Sequence, residues 1–274
     1  MSGPAGAVPP ELDLRCFRLD LRYDGTDFDG WQVQPGRRTV QGELERALES
    51  VLEEKVRVLG AGRTDAGVHA LRQVAHFRSR TALPASVIER ALRGLLPEDL
   101  LVLSAAEAPP DFDSRRDARF RAYRYRILRG RDPLRRRFVW EVGFRLDVGH
   151  LREGARSFVG PIDATSFADA SRKDRMNRVV VEASGWRERG PELHYEILAN
   201  RFVHHMVRTI VGTLVEVGRG FRSPDDIGAV LAARDRRLAG PTAPARGLHL
   251  VEIGYAAAGA DPFPLEGETD ENLP

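Results

Sequence analysis

The chain has 274 residues, 42% of them hydrophobic and 30% charged, enough for one large globular domain or two of ordinary size. Its single cysteine, Cys16, excludes an intrachain disulfide and a thiolate metal cluster and fits a reducing compartment. The net charge of +2 hides an asymmetry: residues 261–274 carry five acids and no base, whereas residues 114–145 hold twelve arginines against Asp117, Asp132 and Glu141. Such a concentration of arginine suits a polyanionic partner or a solvated basic surface, and composition does not separate the two. No apolar run approaches the roughly 20 residues that span a bilayer. The first residues lack the charged and apolar regions of a signal peptide, so a cytoplasmic protein is expected.

Taken in order, residues 1–14 are rich in Pro, Gly and Ala and are expected to be disordered. Residues 16–23 alternate Phe17, Leu19 and Leu21 with charged neighbours, the pattern of a half-buried strand. A polar, Gly-rich loop over 24–35 carries Phe28 and Trp31. Thr39 is placed to cap a helix running through Leu52, with Leu44, Ala47, Leu48 and Val51 at helical spacing. Strands are expected over 56–59 and 72–77, then a helix over 85–96 with Val87, Ile88, Ala91, Leu92 and Leu95 inward, ended with help from Pro97, and a strand over 100–105. This β-α-β-β-α-β order is the ferredoxin-like unit.

The order returns beyond a boundary at 109–113. A strand over 120–128 is followed by a helix over 147–158, paired strands over 179–186 and 192–198 across Gly190-Pro191, helices over 203–218 and 225–233, and a last strand over 248–255. The expected fold is therefore α+β, with a ferredoxin-like unit over 15–110, a second over 111–257 and an acidic disordered tail over 258–274. The halves share element order without a repeat in sequence.

The stretch most suited to chemistry is Gly60 to Ala70, GAGRTDAGVHA, between two strand-like segments. A tight loop on a rigid sheet is how a reactive side chain is commonly presented, here Asp65. Gly60, Gly62 and Gly67 allow sharp bends or close approach, and Arg63 offers a planar charged fork for a phosphate or a base. On the bare triplet Arg-Thr-Asp, a salt-bridged surface turn would be the commoner explanation.

This eleven-residue stretch resembles the signature of the tRNA pseudouridine synthases of the TruA type. Further stretches are similar to that family: Tyr23-Asp24-Gly25-Thr26 with Gly30-Trp31-Gln32, Thr39-Val40-Gln41-Gly42, Phe112 to Arg115 with Tyr123-Arg124-Tyr125, Asn200-Arg201-Phe202-Val203-His204-His205-Met206-Val207-Arg208, and Gly247-Leu248. The resemblance runs from about residue 17 to 256. It implies an extended, mainly antiparallel sheet from both halves with helices on one face and a central cleft. It also implies isomerisation of uridine to pseudouridine in the anticodon stem-loop of tRNA, at positions 38–40, without a cofactor or a metal, by a homodimer.

Carried over residue by residue, the resemblance makes Asp65 the catalytic carboxylate and Arg208 its cationic partner, Tyr123 the ring that stacks on the uracil, and Leu248 part of the pocket floor; Arg63 is placed to fill the place a flipped base vacates or to hold its phosphate. Tyr125 is taken as structural, and the arginines over 115–137 are expected to follow RNA phosphates. The loop 166–178 opens as the family's does but is short, and Ser114 stands where alanine is frequent.

Two other readings fit the residues alone. Asp65, His69 and His76, with His204 and His205, could serve a metal-dependent phosphoesterase, although two adjacent histidines on a helix would point about 100° apart and chelate poorly. Tyr123 and Tyr125 on one sheet face could serve a non-catalytic RNA-binding module.

Overall fold

The computed structural model describes residues 13–169, 177–256 and 263. The disorder expected for 1–14 and 258–274 falls almost wholly outside these residues, as does the middle of the 166–178 loop.

The elements in chain order are β1 (Arg15–Tyr23), α1 (Val40–Leu52), β2 (Leu59–Gly60), β3 (His69–Ser79), α2 (Ala85–Leu95), β4 (Leu100–Ala108), β5 (Phe120–Arg129), β6 (Trp140–Val142), α3 (Val148–Arg156), β7 (Gly160–Asp163), β8 (Arg178–Arg189), β9 (Glu192–Ala199), α4 (Met206–Gly218), α5 (Asp226–Ala233) and β10 (Leu248–Gly254). Among the described residues they form one ten-stranded sheet with the path β4-β1-β3-β10-β5-β9-β8-β7, β2 pairing with β3 and β6 with β5. The expected α+β class is what is found.

Each half repeats one strand order. In the first, β4-β1-β3 is extended by β2; in the second, β10-β5-β9 is extended by β8. The halves join where β10 runs parallel to β3, His249 opposite His69 and Leu250 opposite Ala70. That junction explains the main departure from the expected strands. β2 shrinks from the expected 56–59 to Leu59–Gly60, opposite His76 and Ala75, because β10 occupies the earlier part of the same edge of β3. Val58 is still buried, its N–H taken by the Glu45 carboxylate at 2.9 Å.

One contiguous core gathers Phe17, Leu19 and Leu21 of β1, Leu44 and Leu48 of α1, Tyr125 and Ile127 of β5, and Ile210 and Leu214 of α4. Burial of such a face, not helix propensity, holds the helices to the sheet. The caps follow the sequence: Thr39 accepts from the Gly42 N–H and Asp147 from the His150 N–H. Leu95, expected inward, is 55% exposed, since α2 buries only Ile88 and Leu92.

The opposite face of the second half is ionic. Glu196 pairs with Arg124 and Arg187, each at 3.0 Å, while Glu192 meets Arg126 at 2.8 Å, Arg135 at 3.2 Å and His194 at 2.8 Å. For part of the run this corrects the expectation that the arginines over 115–137 follow RNA. Arg124, Arg126 and Arg135 neutralise sheet carboxylates; Arg121 is buried and donates to the carbonyls of Ala61, Arg115, Ala118 and Asn200. Arg129 pairs with Glu188, and Arg137 with Asp24 and Asp27.

Burial alone would raise the Glu192 carboxyl, but hydrogen bonds from His194 and Arg126 outweigh it and hold it at about 2 against an ordinary 4.5. The folded value lies below the unfolded one, so this carboxylate stabilises the fold above about pH 4.5 and ceases to as pH falls toward 2. The linkage is on the order of 3 kcal/mol. Glu192→Gln is expected to cost about 2–4 kcal/mol near neutrality, by stranding Arg126 and His194, and to flatten the acid limb of urea stability. An unchanged acid limb in that variant would show that other carboxylates carry it.

Candidate active site

The loop bearing Asp65 is braced by the first Gly-rich loop. The Trp31 N–H donates to the Thr64 carbonyl at 3.0 Å, Gly67 N–H to the Phe28 carbonyl at 3.3 Å, and Val68 N–H back to the Asp65 carbonyl at 3.1 Å. Tyr23 Oη and Thr64 Oγ1 lie 2.9 Å apart, and Gln73 Nε2 donates to the Gly62 carbonyl at 2.8 Å. The fit leaves no room for a side chain at two positions. A Cβ on Gly25 would stand 2.0 Å from the Val68 carbonyl oxygen; Gly30, at φ +89°, would place one 2.8 Å from that of Thr64.

From the other half comes Arg208, in the first turn of α4. Its Nη1 donates to Asp65 Oδ2 at 2.9 Å and its Nε to the Ala243 carbonyl at 2.8 Å, and the Ala243 N–H returns to the Arg208 carbonyl at 3.0 Å. The guanidinium is thus aimed by two acceptors in different directions.

The pair lies in a groove of about 1270 Å³ lined by residues of both halves. Its apolar wall includes Tyr123, Phe202, Val207 and Leu248; its basic rim includes Arg63, Arg115, Arg116 and Arg201. Tyr123 is buried and meets Phe202 edge to face, with ring centroids 5.0 Å apart. Burial pushes its phenol well up, aided by Tyr23 and Asp65, so the hydroxyl is neutral at physiological pH. Tyr125 donates to the Pro244 carbonyl at 2.7 Å, a structural use as expected. All five residues singled out in the sequence, Asp65, Arg63, Tyr123, Arg208 and Leu248, therefore line one groove.

Two neighbours were misplaced. The helix expected from 203 begins at Met206, and His205 has a left-handed backbone at φ 64°. That turn removes the 100° divergence expected of His204 and His205. Their rings stack at 3.8 Å, and their Nε2 atoms lie 3.4 and 3.5 Å from the Asp65 carboxylate. Apolar spacing continues through Val203, so helical periodicity concealed the break; the histidines' place three and four residues before Arg208 was the available signal. His69 and His76 are elsewhere. His69 is buried beside Asp24 and Gly25, with Nε2 on the Arg137 carbonyl at 3.0 Å, and His76 is buried against Ser114. The five-residue metal cluster considered from sequence is not assembled.

A family model described as tRNA pseudouridine synthase matches residues 21–117 and 155–256. The chain belongs to the tRNA pseudouridine synthase family. It is 44% identical to tRNA pseudouridine synthase A of Geobacillus kaustophilus over 250 residues, covering 88% of this chain and 94% of that one. It is 44% identical to the protein of the same name from Halalkalibacterium halodurans, covering 86% and 90% of the two chains, and 44% identical to that from Myxococcus xanthus, covering 87% and 91%. Arg63 and Asp65 fall in the first matched stretch, Arg208 and Leu248 in the second, and Tyr123 between them. No helix among the described residues is long and apolar enough to cross a membrane.

Proposed function

We propose that this chain isomerises uridine to pseudouridine in tRNA, in the anticodon stem-loop at positions 38–40, with Asp65 as the reacting carboxylate. The observation that carries this reading is the Asp65–Arg208 pair, one member from each half, at 2.9 Å in a groove with an arginine rim and an apolar wall, in a chain of this family. The uracil N1–C1′ bond breaks, the base turns, C5 bonds to C1′, and the C5 proton leaves as N1 gains one. Nothing is consumed. Asp65 serves by attacking C1′ or by removing a ribose proton to give a glycal; both routes need a carboxylate anion, which a guanidinium favours.

A stacked uridine cannot reach Asp65, so the nucleotide flips out at a cost of a few kcal/mol. Arg63, exposed on the lip of the groove, fills the vacated place. The extruded uracil lies against Tyr123 and over Leu248. RNA grip comes from Arg115 and Arg201 with Arg63, and rests on shape and phosphate more than on base edges. Action in the cytoplasm follows from the substrate. The reading includes a homodimer on resemblance of sequence alone; a fully active monomer by sedimentation would remove that part.

The test is incubation with unmodified tRNA transcripts followed by mapping of pseudouridine. Modification at 38–40 with an intact RNA chain is expected; RNA cleavage would favour a phosphoesterase, and binding without modification a carrier. Tyr123→Phe keeps the stacking ring and loses the hydroxyl. It is expected to bind tRNA within about threefold while single-turnover formation slows about tenfold or more; an unaltered single-turnover rate would remove the hydroxyl from the chemistry.

A further inference from the structure

His204 and His205 bridge two carboxylates. Their Nε2 atoms face Asp65, and their Nδ1 atoms lie 3.2 and 3.3 Å from Asp169 Oδ2. One donor atom from each of Asp65, His204 and His205 falls within a sphere in which no two are more than 4.8 Å apart. Two imidazoles and one carboxylate form a donor set suited to zinc and its neighbours in the first transition row. Zinc bonds of about 2.0–2.1 Å put tetrahedral ligand atoms about 3.3 Å from one another. His204 Nε2, 3.4 Å from Asp65 Oδ1, already stands at that spacing, while His205 Nε2 lies 3.5 Å from the carboxylate's other oxygen, Oδ2, and reaches the site by a small ring movement. The left-handed turn at His205, and not a helix repeat, produces this convergence. Both rings are reachable from the groove, with His204 37% and His205 29% exposed. Arg208 sits on Asp65 Oδ2, which leaves Oδ1 as the oxygen open to a metal.

We propose that Asp65, His204 and His205 form a binding site for a zinc-type dication, and that its occupancy inhibits the enzyme by tying up the carboxylate. The inhibitory half rests on the function proposed above; the binding half does not. Chelator-treated full-length protein is titrated without RNA, with Zn²⁺ by calorimetry and with Co²⁺ by its visible absorption. Saturable one-to-one binding with a tetrahedral-type Co²⁺ spectrum is expected. Asp65→Asn and the double variant His204→Gln/His205→Gln are each expected to bind at least about tenfold more weakly. His150→Gln, remote and exposed, should bind as the parent does. Circular dichroism melts establish that the variants are folded, and Co²⁺ added to the parent alone gives a reading that needs no variant. No saturable binding, or equal affinity in the folded double variant, would overturn the site. Zn²⁺ should also stop pseudouridine formation in the parent, reversibly with EDTA. Binding as described with turnover untouched would overturn the inhibitory half and, with it, the role given to Asp65.

Discussion

Asp65→Asn is expected to lower turnover at least about a thousandfold, some 4 kcal/mol of barrier, while tRNA affinity stays within about tenfold. Asparagine keeps the volume of the side chain and an oxygen for Arg208, so the loop braced by Trp31, Phe28 and Tyr23 has no reason to move. What is lost is an anion able to attack the sugar or take its proton. Affinity is spared because the rim residues proposed to meet phosphate, among them Arg63, Arg115 and Arg201, are separate from the reacting group. Removing a negative charge from the groove also lessens repulsion of the RNA backbone. Tritium release from C5-labelled tRNA measures the first quantity and filter binding the second. Turnover near that of the parent would remove Asp65 from the mechanism, whatever the geometry around it.

The parts of this site that were legible in the sequence are those set by near neighbours in the chain. The Asp65 loop is bounded by strands that alternate visibly, and its glycines stand where a packed side chain or a left-handed backbone demands them, as at Gly60, whose Cβ would stand 2.5 Å from the Trp31 ring, and at Gly67, with φ +76°. What could not be read depends on distant residues. Nothing in Val56-Arg57-Val58-Leu59 shows that β10 will take the edge of β3 that a longer β2 would need. The arginine count over 115–137 is blind to Glu192 and Glu196, which absorb much of that charge on the far face of the sheet. Periodicity likewise carries Val203 into the pattern of Val207, Ile210 and Val211. The backbone instead turns left-handed at His205, and that single dihedral decides that two histidines face Asp65.

Arg208→Lys separates charge from geometry at the same site. Lysine keeps a cation near Asp65 but has one compact ammonium in place of a planar fork. Arg208 uses two different nitrogens, Nη1 on the Asp65 carboxylate at 2.9 Å and Nε on the Ala243 carbonyl at 2.8 Å, so the second bond fixes the direction of the first. An ammonium can satisfy one of these acceptors well or both poorly, and the carboxylate is then no longer held in one orientation toward C1′. Misplacement on the scale of an ångström costs about a hundredfold in rate, or roughly 2.7 kcal/mol. That is the loss expected in single-turnover rate, with tRNA affinity near that of the parent. Stability should hold, because the apolar anchors of α4, Ile210, Val211 and Leu214, are fully buried and unaltered. Arg208→Gln, which removes the charge as well, should fall further toward the level of Asp65→Asn. Combining Arg208→Lys with Asp65→Asn should add almost nothing to Asp65→Asn alone, since the arginine acts through the carboxylate. An Arg208→Lys rate equal to that of the parent would mean that any nearby cation suffices and that the guanidinium's aim is irrelevant. A double variant much slower than Asp65→Asn alone would instead give Arg208 a contact with the substrate of its own.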